Sequence, residues 1–161
     1  MASESSDLFF SVTHLGFLTV NGSFSTFSGE CVFNGDTFHR IDGQIQVNSI
    51  NTNDETRDES LRSDAYLNEQ AYPLITFRST QIVSSGKTPI LIGKLKLKDQ
   101  EHEIRMPVSF RLSEATDSCL ITISTTIRRS QFHLDFGPMD ALVGDEVRID
   151  LAIVATRAPK K

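Results

Sequence analysis

The side chains best suited to chemistry are few and scattered. Four histidines, His14, His39, His102 and His133, could hold a metal or move a proton, but no two stand two or four residues apart. A metal site would need ligands gathered from distant segments, with carboxylates added, and none is expected. Cys31 and Cys119 both fall on the apolar side of predicted strands, where cysteine behaves as a small buried hydrophobe, and nothing near either suggests a reactive or metal-bound thiolate. The chain contains no GxSxG elbow, no HExxH helix, no phosphate-cradling glycine loop and no cysteine beside a histidine. The expectation is a protein with no catalytic residues and no cofactor.

One charged constellation has a shape: Arg57, Asp58 and Arg62. Guanidinium groups match phosphate oxygens, so Arg57 and Arg62 are candidates for the head group of an amphiphilic ligand. The plainer reading, which weighs more, is that acid and base pin a helix to a strand end. Asp58 and Arg62 stand four apart, acid first, which suits a side-chain pair and the helix dipole.

Those residues lie on the only good helix signal. Thr52 precedes Glu55 by three, the spacing of a capping box, and a short helix is expected over about residues 54–66. Its apolar positions, Leu61, Ala65 and then Tyr66 or Leu67, make a narrow stripe. A helix that thin must lie on something larger.

Elsewhere the chain alternates with period two. Leu8, Phe10 and Val12 open the pattern; Phe27, Cys31 and Phe33 share a parity, with Gly29 predicting a bend or bulge between them. Ile41 and Ile45 oppose Arg40, Asp42 and Gln44, and Leu95 and Leu97 oppose Lys94, Lys96 and Lys98. The rhythm continues through Met106, Cys119 and Ile149 to Ala155. This gives about eight strands, each with one wet face. A sheet of that size must close or fold into a sandwich, since otherwise it leaves an uncovered face and open edges. The expected fold class is all-β, a closed eight-stranded antiparallel barrel with the helix at its mouth, and a sandwich is the second choice.

Strand parity alone assigns the ligand-lining positions: Phe27, Phe33, Ile45, Val47, Phe77, Leu95, Leu97, Met106, Val108, Phe110, Ile121, Ile123, Ile149 and Leu151. Some of them must plug the closed end. An aliphatic bore is what an acyl or prenyl chain requires, each buried CH₂ contributing about 0.8 kcal/mol before ordering costs.

Composition narrows the classes further. The chain has 161 residues and no linker or charge run divides it, so a single domain over residues 1–161 is expected. A net charge of -5, with scattered basic residues, argues against a nucleic-acid surface. No apolar run is long enough to span a bilayer as a helix. Nor does a basic start lead into an apolar core, so the chain as given reads without a signal peptide, as expected of a cytoplasmic protein or of a periplasmic one whose leader has been removed.

The segments Phe10-Ser-Val-Thr-His14-Leu-Gly-Phe17, Val20-Asn-Gly-Ser-Phe24, Ser49-Ile-Asn-Thr52, Arg57-Asp58, Leu61-Arg-Ser63 and Pro73-Leu-Ile-Thr-Phe77, with Gly93-Lys-Leu-Lys-Leu97 and Gly144-Asp-Glu-Val147, follow one another in an order and spacing that resemble the YceI-like family. The resemblance covers nearly the whole chain. It implies a lipocalin-like barrel that binds a long isoprenoid or other amphiphilic lipid in its bore, in a family that is typically bacterial and often periplasmic. His14 matches a family position and joins Arg57 and Arg62 as a head-group candidate, although on the residues alone it makes structural hydrogen bonds near a turn. The chain departs from the family pattern at Ser5-Ser6, at Ser60, at Ala65-Tyr66-Leu67 and at Arg128-Arg129-Ser130 with Phe132-His133. These departures fall at the rim and the first strand, so the bore carries over better than the mouth.

The expected function is binding of a polyisoprenoid or fatty-acyl-type lipid, as a carrier, store or sensor without chemistry. A homodimer is left open. Two other readings stand beside it: a filled barrel that serves only as a partner-binding module, and an enzyme acting on a hydrophobic substrate in the bore.

Overall fold

The period-two segments form strands. The computed structural model describes residues 6–14, 18–34, 37–84, 86–113, 118–134 and 143–156, with backbone only at His14, Asn34, Thr37 and Phe38. Its strands are β1 Asp7–His14, β2 Leu18–Phe24, β3 Phe27–Asn34, β4 Thr37–Gln46, β5 Ile50–Asn51, β6 Leu74–Val83, β7 Ile90–Leu97, β8 Gln100–Ser113, β9 Ser118–Arg128 and β10 Val143–Thr156; helix α1, Glu55–Arg62, lies between β5 and β6. All pairings are antiparallel, in the order β3-β4-β6-β7-β8-β9-β10-β1-β2-β5.

The sheet is therefore a curled half-barrel of 10 strands, where a closed barrel of eight is expected from the sequence. The difference arises at β2, a strand the alternation does not predict, and at β5, which a break sets off from β4. Ser25-Thr26 separates β2 from β3, and a 3-10 turn at Val47–Ser49 separates β4 from β5. Two backbone bonds span the double break: Ser25 N–H donates to the Ser49 carbonyl at 3.3 Å, and Gln46 N–H to the Thr26 carbonyl at 3.0 Å. A third irregularity lies in β8, which pairs with β7 through Gln100–Pro107 and with β9 only from Val108 onward. Proline has no N–H to give a ladder, and the change of neighbour falls at Pro107.

Burial follows parity closely on β9, where Cys119, Ile121, Ile123 and Ile127 are buried while Leu120, Thr122, Ser124 and Thr126 are exposed. The bend expected at Gly29 is displaced: the ladder slips between Val32 and Phe33, and Gly29 pairs in register with Gly43. A Cβ at Gly29 would collide with the Asp42 carbonyl oxygen, so the residue serves a close approach of two strands.

The helix is shorter than the expected span and is capped two residues later than expected. Asp54, not Thr52, accepts from the N–H of Arg57, and Ser63 leaves helical geometry with φ -68° and ψ 166°. The apolar stripe survives because a turn continues it, with Leu67 N–H donating to the Leu61 carbonyl at 3.0 Å and burying Leu67.

On the outer face, Ser124 Oγ donates to Asp150 at 2.7 Å and Arg148 Nε donates at 3.2 Å. The Ser124 bond first, then Arg148, hold the Asp150 carboxyl below its ordinary value of 3.8. An acid depressed in the folded state adds stability above its unfolded value, and that stability is lost as pH falls through the folded one. Ser124→Ala is expected to raise the Asp150 midpoint in a carboxyl NMR titration; an unchanged midpoint would contradict this assignment.

Candidate ligand-binding site

Inside the curled sheet the apolar residues divide into two clusters. One, built on Leu91, Val108, Ile121 and Ile153, packs the end away from the helix. The other gathers Val47, Ile50, Leu67, Ile75, Leu95, Leu97, Ile127, Phe132 and Leu134, with Phe10, Phe24, Leu61 and Tyr66 against it. The second cluster surrounds a pocket of about 980 Å³. Its walls come from β1 and β2 (Leu8, Phe10, Val12, Val20, Phe24), from β7 (Leu95, Leu97) and from β10 (Val147, Ile149), while Leu61, Tyr66 and Leu67 close over it from α1 and its following turn.

Polar groups enter this lining from two places. Thr52, Arg57, Ser60 and Ser63 come from α1 and its flanks, and Arg129 comes from the 3-10 turn that follows β9. Thr52 is the hub of the first group. Its N–H donates to Asp58 Oδ1 at 2.9 Å, its hydroxyl donates to the same oxygen, and Arg57 donates Nε to Thr52 Oγ1 at 2.9 Å and Nη2 to the Thr52 carbonyl at 2.8 Å. Asp58 is buried, as is Thr52. Arg57 and Asp58 thus pin α1 to the residue just after β5, which is the plainer of the two sequence readings. The expected Asp58–Arg62 pair does not form; Arg62 Nη2 instead reaches Glu55 Oε1 at 3.1 Å.

Arg129 is 4% exposed. It donates Nε to the Gly144 carbonyl, Nη1 to that of Leu134 and Nη2 to that of Val143, each at 2.8 Å. A guanidinium spends several donors in a fixed plane, so one side chain ties the end of β9 to the start of β10. Asp145 caps the same turn, accepting from Ser130 N–H at 2.9 Å and Ser130 Oγ at 2.8 Å.

The sequence-assigned positions distribute unevenly. Ile45, Leu95, Leu97 and Ile149 line the large pocket. Phe27, Phe77, Met106, Ile123 and Leu151 line a second cavity of about 120 Å³ deeper in the fold, to which Ile45, Leu95 and Ile149 also contribute. Phe33, Val108, Phe110 and Ile121 line neither and belong to the packed end, where the Phe33 and Phe110 rings meet edge-on at 6.1 Å. Val47 is buried in its 3-10 turn behind the wall. Of the head-group candidates, Arg57 lines the large pocket and Arg62 does not; the side chain of His14 lies outside the described residues.

The lining assignment leaves out Leu8, Phe10 and Val12, although alternation marks them apolar; it leaves out Val20 and Phe24 of β2, a strand the alternation does not predict; and it leaves out Arg129. The signal for Arg129 was present. It continues the inward series Ile121, Ile123, Ile127 by one more step of two.

Cys31 and Cys119 are both free. Burial, and next the neighbouring Cys119, push the Cys31 thiol up to about 11, and burial also raises Cys119. Such thiols stay protonated at neutral pH and are poor nucleophiles. Among the described residues no group of three His, Cys, Asp or Glu is placed to hold a metal ion, and no helix is long and apolar enough to cross a membrane.

Fold and site together define an antiparallel β protein of lipocalin-like form whose interior holds a large apolar pocket under a short helix. The chain belongs to the YceI-like domain family, whose family model matches residues 1–155. A UPF0312 protein of Shewanella denitrificans is 30% identical over 159 residues, covering 89% of this chain and 78% of that protein. A UPF0312 protein of Yersinia pestis is 34% identical over 90 residues, 55% of this chain, and the match spans only 47% of that relative's length. Among solved structures, Burkholderia cenocepacia BcnA superposes with TM-score 0.87 at 22% identity, covering 96% of this chain and 99% of BcnA. A polyisoprenoid binding domain from Saccharophagus degradans, implicated in plant cell wall breakdown, superposes with TM-score 0.78 at 17% identity, covering 96% of this chain and 95% of that one.

Proposed function

We propose that this protein binds a long-chain isoprenoid or similar amphiphilic lipid in the large pocket and acts as a carrier, store or sensor without chemistry. One observation carries the reading: a pocket of about 980 Å³ walled by aliphatic and aromatic side chains, with its few polar groups confined to α1, its flanks and Arg129. Ligand sites of this kind are mostly apolar concavities of roughly 300–1,000 Å³ with a few placed polar groups, so the tail enters the pocket and the polar end meets Arg57, Ser60 and Ser63. The Saccharophagus domain of the same fold supports a polyisoprenoid as the ligand class. In this reading β2 with β3, and β4 with β5, act as two continuous staves, so that eight staves enclose the ligand. A filled interaction module has no use for such a void, since protein interiors pack like organic crystals.

The test is native mass spectrometry of protein purified without detergent, then of stripped protein offered polyprenyl alcohols. A hydrophobic adduct of several hundred daltons, or uptake on addition, is expected. Val20→Trp, which places an indole in the pocket from β2, should weaken uptake at least about tenfold while circular dichroism stays unchanged. No adduct and no uptake of any polyprenyl or fatty-acyl chain would overturn the proposal.

A further inference from the structure

Leu8, Ile45, Ile75, Leu95 and Ile149 line both the large pocket and the cavity of about 120 Å³, so the two voids share one wall and the smaller lies toward the packed end. Phe77 lines the smaller void and packs against both apolar clusters. Opposite Phe77 in the ladder stands Gly43, and opposite Gly43 on its other side stands Gly29. The three glycines near this point differ in what they permit. A Cβ at Gly29 would strike the Asp42 carbonyl oxygen and one at Gly93 would strike the Phe77 ring, whereas one at Gly43 would meet only the Ser28 carbonyl oxygen, at an ordinary 3.5 Å.

Packing therefore requires glycine at positions 29 and 93 but not at 43. Interiors seldom leave room that an apolar side chain would fill without strain, because each filled methylene adds stability. Gly43 leaves such room beside the bore. Apolar cavities on the order of 150 Å³ stay dry and admit a guest of benzene size, so this void suits about one five-carbon isoprene unit.

We propose that the small cavity seats the far end of the bound lipid tail, so that the bore measures tail length, with Gly43 and Phe77 setting the limit. The inference rests on the lipid-binding reading and adds to it a specificity determinant: the preferred ligand is the longest chain whose last unit still fits beside Gly43. Refusing a methylene in an apolar pocket changes binding by about 10- to 200-fold, so the limit should be sharp.

The experiment offers stripped protein an equimolar series of all-trans polyprenyl alcohols of graded length and reads bound chains by native mass spectrometry. The unmodified protein should show a length optimum. Gly43→Leu should move that optimum to a shorter alcohol, Gly43→Ala should move it the same way but less far, and Phe77→Ala should move it to a longer one. Circular dichroism of each variant confirms that binding is compared between folded proteins. Variants that bind the same length distribution as the unmodified protein would overturn the ruler while leaving lipid binding standing. No uptake of any length by the unmodified protein would overturn the lipid reading, and the ruler with it.

Discussion

Replacing Arg129 by methionine should lower the free energy of unfolding by about 3–5 kcal/mol, the loss expected when one buried and two part-buried acceptors are stripped of a charged donor. Removing a buried charge can be neutral when its partners are replaced with it. That escape is narrowed here, because among the described residues the acceptors are the backbone carbonyls of Leu134, Val143 and Gly144, which no side-chain change removes. Methionine refills the volume but satisfies none of the three. A domain of this size should lose roughly 10 °C in Tm. Arg129→Lys should fall between, since an ammonium on one stem cannot span three acceptors held in a guanidinium's plane. Urea unfolding followed by far-ultraviolet circular dichroism measures both, and a loss below about 1 kcal/mol for the methionine variant would show that the carbonyls find other donors.

Asp58→Ala has the next largest expected effect, about 2–4 kcal/mol. The carboxylate accepts both the N–H and the hydroxyl of buried Thr52, and Arg57 reaches the same threonine from the other side. Alanine leaves those donors buried without an acceptor and leaves the Arg57 guanidinium beside a site that has lost its negative charge. Asp58→Asn keeps one acceptor oxygen and should cost less than half as much. Because Thr52 ties α1 to the end of β5, the loss should be local as well as global. Hydrogen exchange at the Thr52 amide should accelerate in Asp58→Ala more than exchange at Ile121 in the packed end; equal acceleration at both would mean that the cluster does not anchor the helix separately.

How much of this was legible beforehand depends on the range of the interaction. Ile121 and Ile123 could be placed inside because alternation along a strand is a property of the backbone itself. The helix could be found from its charges and stripe, but its start could not. Thr52 has the spacing of a cap, yet Asp54 takes that role, and Thr52 is recruited by Asp58 and Arg57 once the helix docks. Arg129 continues the inward rhythm of β9, but the carbonyls that occupy it belong to Leu134, Val143 and Gly144, which only the packed chain brings around it.

The primary structure by itself determined the class of the molecule: most of its strands, which side of each of those is apolar, and that the apolar sides outnumber what one helix can cover. Those are consequences of local backbone geometry and of burying carbon away from water. Only the tertiary structure decided which apolar side chains face empty space and which face one another. Phe110 and Leu97 carry the same signal in the chain, yet Phe110 joins the packed end and Leu97 the open pocket. Alternation records the side of the sheet and carries no information about depth along the bore. Depth is set by where β2 gives way to β3, where β4 gives way to β5, and where β8 exchanges one neighbour for another at Pro107.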